Sequence, residues 1–249
     1  MTQWVFDLGN SRVKCAPLQA DGTLGNVFAF AYDEGLIAAL ARAVPADAPR
    51  EAAEAILASV ASPARTALVV DWLTTRFGAV SIARTQSSLA GVRIAYDEPA
   101  RMGVDRFLAL LAARRRGARP WLVVGVGTAT TIDLLDAQGR HHGGRIAPSP
   151  HLMREALHTA AAQLPAMGGH YVEFATGTVD ALASGCDGAA LGLVERSLRQ
   201  ARDALGEPPA LLWHGGGAAA LAASLQAGEM APALVLEGLA VWARLGAGA

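Results

Sequence analysis

Two short stretches carry most of the chemistry this chain can do. The first is Asp7-Leu8-Gly9-Asn10-Ser11, followed at a short distance by Lys14; the second is Gly125-Val126-Gly127-Thr128-Ala129. Each sets a glycine and a short hydroxyl or amide side chain at what reads as a strand-to-strand turn. Glycine lets the backbone come close to a ligand with its N–H groups presented, and Asn, Ser and Thr add short donors, which is what phosphate oxygens require. Either turn alone is also ordinary hairpin chemistry. Together they suggest two turns holding one polyphosphate. Lys14 is the only lysine in a chain with twenty arginines. Three residues past Ser11, its ammonium has the reach to sit on a phosphate; the other reading is a solvated strand lysine. Asp7 closes an apolar stretch and is a candidate for holding Mg²⁺, directly or through water, or else an aspartate capping its own turn.

A third constellation is Tyr96-Asp97-Glu98-Pro99-Ala100-Arg101-Met102-Gly103-Val104-Asp105-Arg106, just before a strongly apolar helical run. Asp105 and Arg106 fall in the first turn of that helix, where the dipole favours an acid and disfavours an arginine. Arg106 therefore needs another reason, and binding an anion is one. A carboxylate at a helix start can serve as the base that takes a proton from an alcohol attacking a phosphate, or it can simply be a helix-start acid. A late run, Gly215-Gly216-Gly217, offers either a nucleotide contact or a strand-to-helix turn.

These residues need elements to position them, and strands and helices alternate along the chain. Residues 4–8 read as a strand, 9–11 as a tight turn, 13–18 and 26–31 as further strands. Helical periodicity follows at 34–43 and 64–77, with strands at 55–60 and 80–83, and then a helix over 104–116. Arg114, Arg115 and Arg116 close that helix before Gly117, where cations suit the negative end of the dipole. After Pro120 the pattern restarts: strand 121–126, a turn at Gly127-Thr128, strand 130–135. Two halves with the same opening suggest a duplicated unit, with the seam at 116–120. The domain reading is 1–117 for the half with the first turn and 118–249 for the half with the second.

Composition narrows the function classes. With 249 residues, 52% of them hydrophobic, the chain can bury a sizeable core. A formal net charge of −1 gives no basic field for nucleic acid. Cys15 and Cys186 lack metal-ligand or disulfide spacing and read as buried free thiols. His141, His142, His151, His158 and His170 show no metal spacing and read as loop or surface residues. No secretory signal and no apolar run of membrane-spanning length is seen, so the expectation is a cytoplasmic protein without a membrane segment.

The ordered set Asp7-x-Gly9-Asn10-Ser11-x-x-Lys14, Gly103-Val104-Asp105-Arg106, Gly127-Thr128-Ala129-x-Thr131-x-Asp133, Gly143-Gly144-Arg145-Ile146-Ala147-Pro148 and His214-Gly215-Gly216 resembles type III pantothenate kinase. That family belongs to the acetate and sugar kinase and actin superfamily. The resemblance implies an α/β protein of two ribonuclease-H-like (actin-like ATPase) halves flanking a nucleotide cleft. It implies ATP-dependent phosphorylation of pantothenate to 4′-phosphopantothenate, at the start of coenzyme A synthesis. Residue by residue, it implies ATP and phosphate contacts from Asp7, Gly9, Asn10, Ser11, Lys14, Gly127, Thr128, Gly215 and Gly216, with Mg²⁺ near Asp7. It implies Asp105 as proton acceptor and a pantothenate site lined by Tyr96, Gly103, Val104, Asp105 and Arg106. Thr178 would reach pantothenate from the partner subunit, which makes the expected form a homodimer with the substrate site at its interface.

Three departures stand out. Gly125 occupies the place of an aspartate that helps bind potassium or ammonium, so a monovalent cation is in question. Ser149 replaces a glycine, and His214 replaces a threonine before the late glycine pair. Two other readings remain: a kinase for another small alcohol or carboxylate, and a non-catalytic accessory protein on the same fold, against which Asp105, Lys14 and Thr128 argue.

Overall fold

The structure is a computed structural model that describes residues 2–44 and 50–245. Its first sheet is built from β1 (Thr2–Leu8), β2 (Arg12–Leu18), β3 (Phe28–Ala31), β4 (Ala53–Ser59) and β5 (Ala79–Ile82), in the order β3-β2-β1-β4-β5. β1 lies at the centre, antiparallel to β2 and parallel to β4. Its residues Trp4, Val5, Phe6 and Leu8 are all buried. A central strand covered on both faces carries a continuous apolar run rather than an alternation, which is how the sequence reads there. Helix α1 (Leu36–Ala43) and helix α2 (Pro63–Arg76) flank this sheet. α2 starts where local chemistry tells it to: the Ser62 hydroxyl accepts from the Arg65 backbone N–H and Pro63 takes the first helical position. A small hairpin, β6 (Ser88–Leu89) with β7 (Val92–Arg93), precedes helix α3 (Val104–Arg116).

The second sheet repeats the plan. β8 (Trp121–Val126), β9 (Ala129–Leu135), β10 (His141–Pro148), β11 (Ala210–His214) and β12 (Glu229–Met230) follow the order β10-β9-β8-β11-β12. β8 is antiparallel to β9 and parallel to β11, as β1 is to β2 and β4. The duplication read from two similar turns is therefore a duplication of whole sheets. Helices α4 (Pro150–Ala160), α5 (Thr178–Leu205) and α6 (Ala218–Leu225) accompany this sheet, and α7 (Leu234–Leu245) ends the described chain.

The chain forms two compact units. One runs to Ala118, takes in Gln138–Arg140 and regains the chain from Ala233; the other holds Arg119–Ala137 and His141–Pro232. The change at Ala118 lies inside the 116–120 seam. The division into 1–117 and 118–249 differs from the packing at the far end, because α7 belongs with the first unit. α3 is apolar on nearly every side, with Phe107 to Ala113 buried, so it needs a second cover, and α7 supplies it. A Cβ at Gly238 of α7 would lie 1.9 Å from the Leu108 carbonyl oxygen, so the two helices meet backbone to backbone. Arg116 at the end of α3 is bonded to Glu237 of α7 at 2.5 Å. Gln138–Arg140 joins through the Arg93 N–H, which donates to the Gly139 carbonyl at 2.8 Å.

Cys15 and Cys186 are buried free thiols, as expected. His141 corrects the sequence reading: it is a strand residue, 1% exposed, hydrogen-bonded to the buried Asp133 at 3.0 Å. His142 also lies on β10, and His151 and His158 lie on α4. No described helix is long and apolar enough to cross a membrane.

Candidate functional site

In the first unit, Asp7 and Lys14 face each other across the β1–β2 pair. Directly opposite residues of an antiparallel pair project from the same face of the sheet with Cβ atoms about 5 Å apart. Pairing, rather than sequence distance, brings the single lysine to the aspartate. Burial pushes the Asp7 carboxyl up to about 7, the negative charge of Asp105 adds to the rise, and Lys14 opposes it. Two carboxylates that feel each other beside one ammonium form a place where a divalent cation would relieve repulsion, and hard carboxylate oxygens are the ligands Mg²⁺ takes.

Asp105 sits in the first turn of α3, where its Oδ1 accepts from the Arg106 backbone N–H at 2.9 Å. A Cβ at Gly103 would stand 2.6 Å from that same Oδ1. Glycine at 103 thus leaves the room into which the carboxylate folds. Arg106, 6% exposed, answers the question its position raised: its Nη1 donates to the Tyr96 hydroxyl at 3.1 Å, and its guanidinium lies 5.8 Å from the ring centroid. Tyr96, Gly103, Val104, Asp105 and Arg106 are brought together at the start of α3.

The first turn is closed by the Gly9 N–H, which donates to the Arg12 carbonyl at 3.0 Å, leaving Asn10 and Ser11 exposed at its tip. A residue absent from the sequence reading sits against it, backed by a second. Arg65 of α2 donates from Nη1 to the Asn10 carbonyl, and its guanidinium lies 4.6 Å from the centroid of the Tyr32 ring. Burial raises the Tyr32 phenol to about 12, with Arg65 opposing the rise and Asp7 adding to it. No signal in the sequence joins a residue at 65 to a turn at 10; the connection is made by the parallel β1–β4 pairing that carries α2 there.

In the second unit, the Gly127 N–H donates to the Ala129 carbonyl at 2.9 Å and Thr128 is exposed at the turn. Gly215 adopts φ +92°, and a Cβ on it would lie 2.4 Å from the Val126 carbonyl oxygen. The Gly217 N–H donates to that oxygen at 3.0 Å. The late glycines are therefore packed against the second turn, and only a residue without a side chain fits at 215. Both readings of them hold at once: they form the strand-to-helix turn into α6, and they adjoin Gly127.

Gly125 is flanked in register by Thr131 on β9 and His214 on β11. A Cβ at 125 would meet His214 Nε2 at 2.6 Å, Thr131 Oγ1 at 2.7 Å and His214 Cε1 at 2.8 Å. The imidazole lies over the glycine. Two of the departures noted in the sequence are thus one structural fact. Ser149, the third, is buried and its hydroxyl accepts from the Leu152 N–H as the N-cap of α4, a role that glycine lacks. Thr178 is exposed at the first position of α5, with Gly177 as the cap residue.

A family model described as type III pantothenate kinase matches residues 4–200. Type III pantothenate kinase of Stenotrophomonas maltophilia (strain K279a) is 57% identical over 244 residues, covering 98% of both chains. That of Xanthomonas campestris pv. campestris (strain B100) is 56% identical over 245 residues, again with 98% of both covered. Among solved structures, a Baf family protein from Campylobacter jejuni superposes with TM-score 0.62 at 18% identity over 97% of this chain and 98% of that one. Ethanolamine utilization protein EutJ from Carboxydothermus hydrogenoformans gives 0.55 at 12% identity over 97% and 90%. A ROK family glucokinase from Streptomyces griseus gives 0.50 at 12% over 98% and 99%. The fold is that of the actin-like ATPases and sugar kinases. With a family model over most of its length and near-full-length relatives above half identity, the chain belongs to the type III pantothenate kinase family.

Proposed function

We propose that this chain transfers the terminal phosphoryl group of ATP to the primary hydroxyl of pantothenate, giving 4′-phosphopantothenate for coenzyme A synthesis. The observation that carries the substrate assignment is the 57% identity, over 98% of both chains, to a relative named for that activity. Asp105 is the proton acceptor for the attacking hydroxyl. Its carboxylate is held at the helix start by the Arg106 N–H and given room by Gly103. Tyr96, Gly103, Val104 and Arg106 bind pantothenate, and Arg106 supplies a buried cation for the substrate carboxylate. Gly9, Asn10, Ser11 and Lys14 form the first phosphate loop; Gly127 and Thr128 form the second, backed by Gly215 and Gly216. Asp7 holds Mg²⁺, directly or through water, and the ion, when bound, neutralises phosphate charge. The protein's own part is to position the reactants and oppose charge.

The residues around 125 do not fit a carboxylate-lined site for potassium or ammonium. Gly125 has no side chain, and an imidazole and a hydroxyl fill the space above it. A marked dependence on a monovalent cation is therefore no part of the proposed activity.

A homodimer is supported by the surface of the second unit. Ile146, Leu152, Leu157, Met167, Phe174 and Val179 are exposed on or beside β10, α4 and α5, Phe174 at 96%. Large exposed apolar side chains in this number favour a protein partner on these elements, in keeping with a homodimer. Thr178 is exposed beside Val179 at the start of α5, in keeping with a contribution to the partner's pantothenate site. Cytoplasmic placement belongs to the same proposal. A turnover assay with ATP, Mg²⁺ and pantothenate, read by mass of the product, tests the reading. Formation of 4′-phosphopantothenate is expected; phosphorylation of a different small alcohol in preference to pantothenate overturns it.

A further inference from the structure

We infer that Arg65, stacked on Tyr32 and bonded to the Asn10 carbonyl, is a positioning residue that presets the first phosphate loop for nucleotide. The inference rests on the reading of residues 9–14 as that loop. Asn10 and Ser11 are exposed at the tip of a turn where the Gly9 N–H donates to the Arg12 carbonyl. The Asn10–Ser11 peptide unit lies at that tip. Arg65 bonds to that unit, through the Asn10 carbonyl oxygen. A trans peptide is planar, with its C=O and N–H pointing in opposite directions. Holding the Asn10 carbonyl toward α2 therefore directs the Ser11 N–H to the other side of the turn.

The brace is itself held. Arg65 belongs to the first turn of α2, which Ser62 caps and Pro63 starts. Its guanidinium lies 4.6 Å from the Tyr32 ring centroid, so a long, otherwise mobile side chain is confined between an aromatic face and the loop. Thr66, the next residue, is tied at 2.7 Å to Ser59 at the end of β4. Tyr32 follows β3, so three segments far apart in sequence converge on one carbonyl. The hydroxyl of Tyr32 is buried and makes no hydrogen bond among the described residues. The ring face, not the hydroxyl, is what the arrangement uses. The guanidinium also adds a positive charge on the α2 side of the loop, complementing Lys14 on β2.

A loop preset in the free protein loses less freedom when ligand binds, so the brace acts on nucleotide affinity and on the alignment of the phosphates. It has no reason to act on pantothenate affinity. The experiment compares wild type, Arg65→Ala, Arg65→Lys and, as a probe of the loop itself, Lys14→Ala. Calorimetry gives the Kd of Mg²⁺ with a non-hydrolysable ATP analogue in the absence of pantothenate, and steady-state kinetics give the two KM values and kcat. For Arg65→Ala, a loss of about tenfold in analogue affinity is expected, the order of one hydrogen bond from a charged donor. kcat should fall as well, with KM for pantothenate within twofold of wild type and the melting temperature nearly unchanged. Lysine, which keeps the charge and one donor, should recover part of the loss. If Lys14→Ala weakens the analogue and Arg65→Ala does not, the inference is wrong while the loop assignment stands. If neither variant changes affinity, the loop assignment itself fails. Equal losses for nucleotide and pantothenate with a lowered melting temperature, or no recovery with lysine, would mean that Arg65 only supports the fold.

Discussion

The space above Gly125 makes a quantitative prediction about two residues together. A Cβ added there would stand 2.6 Å from His214 Nε2 and 2.7 Å from Thr131 Oγ1, against ordinary contacts of about 3.5–4 Å. Both neighbours come from strands hydrogen-bonded to β8, so neither backbone can retreat, and relief must come from turning the imidazole, and to a lesser extent the Thr131 hydroxyl, out of place. Overpacking of this kind costs about 1–3 kcal/mol. Gly125→Ala should therefore lower stability by that amount, a drop in melting temperature of about 3–10 °C for a chain of this size. In a His214→Ala background the same substitution should cost less, because of the three close atoms only the Thr131 hydroxyl oxygen, at 2.7 Å, remains. The coupling between the sites should thus be about 1–2 kcal/mol, well above the departure from additivity shown by separated sites.

The functional arm uses the same geometry. Turnover is measured against potassium at constant ionic strength, with a bulky organic cation as replacement. Wild type should respond weakly. Gly125→Asp alone should be impaired without acquiring a cation requirement, because the imidazole holds the space the carboxylate needs. Gly125→Asp with His214→Thr should show a saturable potassium response. Additive stabilities would refute the steric argument. A steep, saturable potassium requirement in wild type would refute the claim that the residues around 125 do not form such a site.

Three further outcomes follow from the same residues. Asp105→Asn should keep the fold and nucleotide binding but lose about 10²–10⁴-fold in kcat, the usual contribution of a positioned base; activity within threefold of wild type would remove Asp105 from that role. Asp7 holds its proton up to about pH 7 in the folded chain and loses it near 3.8 when unfolded, so with Mg²⁺ chelated its contribution to stability is full below about pH 4 and is lost as pH rises to 7. Melting temperatures of Asp7→Asn should accordingly decline less over that interval than those of wild type, and parallel profiles would show that Asp7 is not the group responsible. A mixture of Asp105→Asn and Thr178→Val protomers, each inactive alone, should regain activity on subunit exchange, because each heterodimer then has one site with both groups intact. Absence of recovery after verified exchange would place Thr178 outside the partner's site.

Much of the fold was legible because it is written in local terms. The apolar run of β1, the turn at Gly9-Asn10, the apolar helical run 107–113 before Arg114 and the restart after Pro120 depend on residues a few positions apart, and strand and helix periods expose them directly. The duplication was legible for the same reason, since each half opens with its own strand, turn and strand. The pairing of Asp7 with Lys14 follows from that hairpin. What the chain's order could not reveal depends on which distant strands lie side by side. β11 brings His214 over Gly125 from 89 positions away, and the β1–β4 pairing carries Arg65 to Asn10 across 55. His141 has no local mark of burial; it becomes a core residue because β10 sets it against Asp133. Helix α7 follows the second sheet in sequence yet packs on α3, whose apolar face it meets through Gly238. Residue type and spacing determined which groups are available for phosphate chemistry, since those properties act within one turn or one strand. Their bracing and their exclusions were decided by tertiary structure, because steric contact and hydrogen bonding act over a few ångströms whatever the separation along the chain.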